Sequence, residues 1–507
     1  MKKIILLTCL IVFVSTILTG CQTLNSENSD KYILSNMLPK ELDMPLTKES
    51  LSRDETKKII EKYLNLLNQN FDVNLENYDI GDLDGDGIDE IVMYVNEENS
   101  KENVGKLLVY SYDKEGYYLL DGEEIKYDKE NIKLKIGKIS EDKEGIILSN
   151  LANEETTAVY VYLLEDGKLV SAVNPKKVNL FSVNKDVDIV DIDKDGVLNF
   201  SIYTYDPEGE QDEDSKIILW YKWDGKNSAY VVKKENVSEE VKTYADQKYT
   251  TFDYSMLTID ELKTSSKELT KNEFSNLLYE YMTMLSSNLN DENKILSSYM
   301  HIDDANKLSN FLKKDSFKDL DNLDYVLNLT GNEKLNQFIA EEIKKGYMIT
   351  LTDNKIELKP NYDYFMKTFN DMLTNEMLNY IRIKSQYDNK PISNSKILIV
   401  DKEEIAIRLN EIENFRLVFP YSNALDEVLD IYNAYVDALL FLGDDEKSIE
   451  KSEYKIDDKY KEELIKIKEK YPQTYFSELI DRMLTLVEGI GGGAITPTIK
   501  EYIREVY

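Results

Sequence analysis

The chain has 507 residues, of which 42% are hydrophobic and 31% are charged, a balance that is typical of folded domains rather than of disordered segments. Acidic residues outnumber basic residues by 96 to 62, and the net charge of −34 argues against nucleic acid or an anionic lipid surface as a partner. The single histidine, His301, excludes a multi-histidine zinc site and is expected at a helix start or on the surface.

The N-terminus has the layout of a secretory signal. Lys2 and Lys3 precede an apolar stretch of about fifteen residues, which is shorter than the roughly 20 residues that a membrane-spanning helix needs. The stretch ends in the sequence Leu-Thr-Gly-Cys at 18–21, which resembles the lipobox of bacterial lipoproteins. The resemblance implies that residues 1–20 are removed and that Cys21 carries a lipid anchor at the extracytoplasmic face of the cell membrane. An ordinary cleaved signal with an incidental cysteine is the alternative.

Cysteine usage agrees with export. Cys9 lies in the segment to be removed and acylation occupies Cys21, so no thiol remains for a disulfide, a nucleophile or a metal site. Removing residues 1–20, which hold two lysines and no acidic residue, changes the net charge from −34 to −36. Residues 21–45 are polar and aperiodic and suit a tether, and a capping box at Ser52 predicts a helix after it.

Short β-branched and aromatic runs separated by turns predict strands between about Tyr78 and Val232. Three similar segments begin near Ile80, Ile136 and Ile189, about 54 residues apart, and each leads into a hairpin. Four strands for each unit is the size of a propeller blade, but three units are too few to close a propeller, so an open or augmented assembly is expected. Chance similarity among Tyr-rich hairpins is the alternative.

In the second half of the chain, apolar residues recur at helical spacing. A capping box formed by Thr270 and Glu273 opens one of these helices. The sequence therefore predicts an α+β protein. Its β-rich domain of blade-like antiparallel repeats is expected at 46–244 and its mainly α-helical domain at 245–507.

Two acidic loops, 82–90 and 191–199, give the strongest chemical signal. Each has aspartate at positions one, three and five, and a glycine at position six that permits the sharp turn of a calcium loop. The EF-hand glutamate of position twelve is absent, because Met93 and Ile202 stand there. The predicted ligands are the side chains of Asp82, Asp84, Asp86 and Glu90 with the carbonyl of Ile88, and the side chains of Asp191, Asp193, Asp195 and Asn199 with the carbonyl of Val197. Merely solvated acidic turns are the alternative.

These loops resemble the short calcium loops of FG-GAP and VCBS-type blade repeats, which occur in integrin heads and in many bacterial surface proteins. The resemblance covers each loop and the strand after it. It implies that the loops join neighbouring strands and that a structural calcium stabilises each blade, and it implies no catalysis. The middle copy departs from the pattern, with Lys138 and Ser140 in place of the first two carboxylates, and is expected to bind no metal.

Three weaker patterns have mainly structural interpretations. The glycine-rich segment 489–493 lacks the ending of a phosphate-binding loop and is read as a link to a helix with Thr496 as N-cap and Pro497 at its first position. Trp220 and Trp223 could stack on a sugar, but strand alternation places them on opposite faces, so at least one is expected in the core. A further predicted hairpin has strands at 347–352 and 356–358.

The second half also has a fainter resemblance, carried by Gly346-Tyr347, the segments 360–364 and 419–422, Phe415 and Thr496-Pro497. These residues are similar to those of a helical domain in uncharacterised lipoproteins of spore-forming Gram-positive bacteria. No activity follows from this similarity, because the shared residues are of turn and packing types.

The sequence favours a surface-anchored lipoprotein that is a non-enzymatic binding or structural module. Its expected partners are the membrane, through the lipid, and a cell-wall or protein component. No catalytic residue is predicted. The rival is an extracellular enzyme that uses acidic residues, such as a glycan hydrolase, but 96 acidic residues single out no carboxylate pair.

Overall fold

The computed structural model of the chain describes residues 78–96, 104–113, 116–126, 132–153, 156–183, 187–209, 215–237, 257–313, 326–352, 355–394, 397–442, 454–456, 458–490 and 493–506. The predicted signal peptide, Cys21, the tether and the helix after Ser52 lie outside these residues. The chain divides into two compact units, the first ending at Glu240 and the second beginning at Val241. The predicted boundary after residue 244 also lies outside the described residues. No helix in the described ranges is both long and apolar enough to cross a membrane.

The described part of the first unit forms three antiparallel sheets, each with four strands joined in chain order. One short additional strand, Phe181–Ser182, pairs with the third strand of the middle sheet, Thr156–Glu165. This arrangement confirms the predicted α+β class with antiparallel β repeats. The first sheet consists of β1 (Tyr78–Gly81), β2 (Glu90–Asn96), β3 (Val104–Asp113) and β4 (Gly116–Lys126); the middle sheet of β5 (Lys133–Lys138), β6 (Glu144–Asn153), β7 (Thr156–Glu165), β8 (Lys168–Ser171) and β9 (Phe181–Ser182); and the third sheet of β10 (Ile189–Val190), β11 (Asn199–Tyr205), β12 (Lys216–Trp223) and β13 (Ala229–Asn236).

A β-bulge recurs at one position in the first and third sheets. It follows Val109 where β3 pairs with β4, and it follows Trp220 where β12 pairs with β13. The residue after the bulge is a buried tyrosine in both sheets, Tyr110 and Tyr221. A bulge bends its strand and increases the local twist, so the shared distortion indicates that these two sheets are copies of one unit.

Hydrogen bonds from side chains to the main chain join neighbouring sheets. Asp79 Oδ2 accepts from the Ile136 N–H at 2.8 Å, between the first and middle sheets. Lys133 Nζ donates to the Val187 carbonyl at 2.9 Å, just before the third sheet. Apolar side chains of the first and middle sheets also share one buried cluster: Leu83, Val92, Tyr94, Leu107, Val109, Ile125, Ile132, Leu134, Ile136, Ile146, Leu148, Tyr162 and Leu164.

Both tryptophans lie in the core of the first unit. Trp220 is 8% exposed and Trp223 is 5% exposed, and Trp223 Nε1 donates to the Ala172 carbonyl at 2.9 Å. The expectation that at least one is a core residue is confirmed. Neither ring presents a face on which a sugar could stack.

The second unit is mainly helical, as predicted, and its buried apolar residues form one cluster. Its described residues also form three two-stranded sheets. Its helices are α1 (Ile259–Ser265), α2 (Lys271–Tyr299), α3 (Ile302–Leu312), α4 (Glu333–Lys344), α5 (Tyr362–Phe369), α6 (Asn375–Lys384), α7 (Lys402–Val418), α8 (Leu425–Phe441), α9 (Asp458–Lys470), α10 (Tyr475–Gly489) and α11 (Pro497–Arg504), and its strands are β14 (Tyr347–Thr352), β15 (Lys355–Pro360), β16 (Ser393–Asn394), β17 (Ile397–Leu398), β18 (Tyr454–Lys455) and β19 (Ala494–Ile495).

The helix caps and the hairpin that the sequence predicts in this unit are present in the structure. Thr270 and Glu273 form a capping box at the start of α2, because each side chain bonds the main-chain N–H of the other. Thr496 is the N-cap of α11, with Pro497 at its first position. His301 is an exposed N-cap of α3 and its side chain makes no capping hydrogen bond. The predicted hairpin forms as β14 and β15.

A buried carboxylate ties three helices together. Glu413 of α7 is 4% exposed, and its Oε1 accepts from the hydroxyl of Tyr432 on α8 at 2.6 Å. Oε2 accepts from the N–H of Tyr475 at 2.9 Å, and Oε1 also accepts from the N–H of Phe476 at 2.9 Å, at the start of α10. The first N–H groups of a helix have no partner within the helix, so Glu413 satisfies two of them.

Candidate metal sites

The first acidic loop connects β1 to β2, whose ends meet in the pair Gly81–Glu90. Asp82 shapes the loop through both carboxylate oxygens, which accept from the N–H groups of Gly85 at 2.9 Å and Gly87 at 3.1 Å. These two glycines have φ values of 79° and 88°, a left-handed conformation that favours glycine. The alternating side chains therefore turn toward one centre.

Three aspartates meet inside this loop. One carboxylate oxygen from each of Asp82, Asp84 and Asp86 lies within 4.8 Å of the other two. The three side chains are exposed or half-buried, so water and ions reach them. Three like charges at this spacing repel one another, and a bound cation would offset that repulsion. The cluster could hold a metal ion.

The second loop repeats this geometry between β10 and β11. One carboxylate oxygen from each of Asp191, Asp193 and Asp195 lies within 4.8 Å of the other two. Asp191 Oδ2 accepts from the Gly196 N–H at 2.9 Å, as Asp82 accepts from Gly87 in the first loop. Within the described residues, these two triads are the groups of three or more His, Cys, Asp or Glu side chains that could hold a metal ion.

The residue at position nine of each loop accepts a hydrogen bond from the main chain near the start of the loop. Glu90 is fully buried, its Oε2 accepts from the Leu83 N–H at 2.8 Å, and its Oε1 accepts from the Ser111 hydroxyl at 3.2 Å. Asn199 is equally buried, and its Oδ1 accepts from the Ile192 N–H at 3.1 Å. Each side chain therefore links the end of its loop to the second residue of the loop by a hydrogen bond. The cluster of carboxylates in the first loop consists of Asp82, Asp84 and Asp86, without Glu90. Their roles as ligands stay predictions.

The environment of Glu90 is unusual for a carboxylate. Burial raises its pKa to about 7, the hydrogen bond from the Leu83 N–H partly offsets that effect, and the nearby charge of Asp84 adds to it. The sequence does not reveal this burial, because Glu90 continues the pattern of an acidic residue at every second position that also contains the exposed aspartates.

The predicted carbonyl ligands lie at position seven of the loops. The N–H of Ile88 donates to Asp86 Oδ1 at 2.7 Å, and the N–H of Val197 donates to Asp195 Oδ1 at 2.9 Å. These matching bonds give the two loops the same turn after the third aspartate. The roles of the two carbonyls as ligands stay predictions.

A lysine from the next strand accompanies the second triad. Lys222 of β12 makes a hydrogen-bonded ion pair with Asp195 and lies 3.6 Å from Asp193 Oδ2. The hydrogen bond with Lys222 lowers the pKa of Asp195, and the same bond raises the pKa of Lys222. Sequence reasoning missed Lys222, because only the pairing of β11 with β12 brings it to a loop 27 residues away.

The middle loop is built differently. Its flanking strands end in the pair Lys138–Glu144, so five residues, 139–143, fill the turn where the first loop has eight, 82–89. Ile136 pairs with Ile146 as Ile80 pairs with Ile91, so Lys138 occupies the position of Asp82, and the middle ladder extends by the further pair Lys138–Glu144. Lys138 Nζ donates to the carbonyl of Glu141 at 3.0 Å, which places a positive charge in this shorter turn.

The first loop forms one wall of a cleft of about 320 Å³. The other walls come from the middle loop and from the turn of β7, where Lys143 forms an ion pair with Glu165 at 3.1 Å. The cleft exposes Asp82 and Asp84 to solvent, so a hydrated cation could reach the first triad. Its lining residues are Asp82, Leu83, Asp84, Gly85, Asp142, Lys143, Glu144, Leu163, Leu164 and Glu165.

Comparison with known proteins gives no independent assignment: no family model matches the sequence, and no curated protein matches it at a significant level. The resemblance to blade-repeat calcium loops therefore depends on the loop residues themselves.

Proposed function

We propose that this chain is an extracytoplasmic lipoprotein whose first unit holds structural calcium and serves as a binding or structural module. One observation carries the metal part of the proposal. Two triads of aspartate oxygens, each within 4.8 Å, occupy the same turn of two sheets that share a bulge position. A solvated acidic turn would have no reason to recur with the same aspartate spacing and the same hydrogen bonds.

Calcium is the ion that this donor set suits best. All the donors are hard oxygen atoms, and the described residues of the clusters contain no nitrogen or sulfur ligand. The triads are solvent-accessible and lie on loops, a setting that the flexible coordination of calcium tolerates better than the strict octahedron of magnesium. Extracellular calcium modules bind at about 0.1 to 1 mM, which agrees with an exported protein.

The location is a proposal from residues 1–21, which form the signal and the lipid attachment. Mass spectrometry of the chain purified from membranes of a bacterial host tests it. We expect an N-terminal peptide that begins at Cys21 and carries the mass of a diacylglyceryl group. In a Cys21→Ser variant we expect the chain to leave the membrane fraction. An intact chain that retains Met1 and carries no acyl group would contradict the proposal.

Calorimetric titration of the full-length chain tests the calcium part. We expect heat of binding at millimolar calcium, and a loss of that heat in a variant that combines Asp84→Ala with Asp193→Ala. The variant Asp291→Ala, at an exposed position of α2, removes an acidic charge outside the two loops and is the control that should titrate like the wild type. Equal titrations for all three proteins would contradict calcium binding in these loops.

A further inference from the structure

In the second acidic loop, the ammonium group of a lysine lies next to two of the three aspartates. The ammonium group of Lys222 is hydrogen-bonded to Asp195 and lies 3.6 Å from Asp193. The Lys222 side chain is 13% exposed, so its aliphatic part is held in place along the sheet rather than free in solvent. Two of the three carboxylates in the triad therefore have a neutralising charge that comes from the protein.

In the first sheet, the residue that corresponds to Lys222 carries no positive charge. Ile91 pairs with Tyr110 in the first sheet and Phe200 pairs with Tyr221 in the third, so the residues that follow, Ser111 and Lys222, correspond. Ser111 is neutral, and its hydroxyl donates to Glu90 rather than to the aspartates. The structure thus presents two similar triads with unlike surroundings, one open and one covered by an ammonium group.

Lys222 does not satisfy the whole second triad. Asp191 Oδ1 is buried and has no hydrogen-bond partner among the described residues. A buried acceptor without a partner is costly, so this oxygen favours a further cation in the loop. A divalent ion that contacted all three carboxylates would have to repel or displace the ammonium group.

We propose that Lys222 is an intramolecular competitor for the metal ion at the loop 191–199. This inference rests on the proposed calcium function of the loops. Without metal, the ammonium group neutralises Asp193 and Asp195 and keeps the loop folded. With metal, the ion must displace it, so the second loop binds calcium more weakly than the first and the first loop is the principal site.

The test uses the full-length chain in which Asp84→Ala has disabled the first loop. Calorimetry with calcium chloride then reports the second loop, and Lys222→Ser introduces the residue that the first sheet has at this position. We expect the calcium affinity of the second loop to rise at least tenfold on this change, because a positive charge next to a divalent ion has been removed. The variant Lys222→Met, which keeps most of the aliphatic stem, should show the same rise if the serine variant folds poorly.

A matched control removes a lysine from the next strand. Lys234 of β13 lies 3.4 Å from Asp206, so Lys234→Ser changes the net charge equally and should alter the affinity less than twofold. An affinity that is the same with and without Lys222, or no binding in either Lys222 variant, would overturn the inference. Failure of the proposed function is a separate result, namely that Asp84→Ala leaves the calcium titration of the wild-type chain unchanged.

Discussion

The carboxylate of Glu90 accepts a hydrogen bond from the main-chain N–H of Leu83 at 2.8 Å, and this bond spans the whole first acidic loop. Asn199 makes the equivalent bond to Ile192 in the second loop at 3.1 Å. A carboxylate and an amide thus do the same task, which requires an acceptor oxygen but no charge. The loop is closed by this residue, while the aspartates above it remain available to a cation.

Replacing Glu90 should therefore destabilise the first unit even without metal. In Glu90→Ala, the N–H of Leu83 and the hydroxyl of Ser111 lose their acceptor inside the core, and we expect a loss of about 2 kcal/mol in the free energy of unfolding. Chemical denaturation in excess chelator measures it. Glu90→Gln keeps an acceptor, as Asn199 does, and should cost much less. A chelator-treated Glu90→Ala protein as stable as the wild type would contradict this structural role of Glu90.

The helical unit depends on the buried carboxylate of Glu413. In Glu413→Gln, the amide NH₂ group replaces either Oε1 or Oε2. It then faces the N–H of Phe476 or the N–H of Tyr475, so a donor meets a donor in both orientations. We expect a loss of about 2 kcal/mol. The control is Glu404→Gln, which breaks an ion pair with Arg408 in which Glu404 is 41% exposed, and should cost about 1 kcal/mol or less. Equal effects of the two changes in thermal unfolding would refute this account of Glu413.

Glu342 should make stability depend on pH. Its side chain is 2% exposed, and burial raises the pKa of its carboxyl above the ordinary value of 4.5, an effect that the hydrogen bond from Lys345 partly offsets. Between the ordinary and the raised pKa, the unfolded chain has released a proton that the folded chain keeps. The free energy of unfolding should thus decline as pH rises above about 4.5.

The variant Glu342→Gln tests this dependence. It keeps the shape of the side chain but cannot titrate, so the decline with rising pH should be smaller than in the wild type. Denaturation at a series of pH values from 4 to 7 measures the two slopes, with the pH range set by the ordinary glutamate pKa of about 4.5. Parallel curves for the two proteins would mean that Glu342 does not contribute.

The sequence predicts much of the fold because strands and caps are local features. Alternation and turn residues identify the hairpins of the first unit, and the capping box of Thr270 and Glu273 marks the start of α2. The aspartate triads are also a local feature, because a tight turn brings together the carboxylate oxygens of aspartates that are two residues apart.

What the sequence misses depends on contacts between distant residues. Lys222 reaches the second triad through the register of β11 with β12, and no local pattern fixes that register. Glu90 begins β2 and is buried there, and its place in the acidic alternation does not indicate this burial.

Thermal unfolding of the full-length chain with calcium and with excess chelator, for the wild type, Asp84→Ala and Asp291→Ala, tests the metal sites most directly. At calcium ten times the dissociation constant, one site should stabilise the wild type by about 1.4 kcal/mol, seen as a higher Tm than in chelator. Asp291→Ala should keep this difference and Asp84→Ala should lose most of it. A wild-type Tm that is the same in calcium and in chelator would contradict a structural ion in these loops.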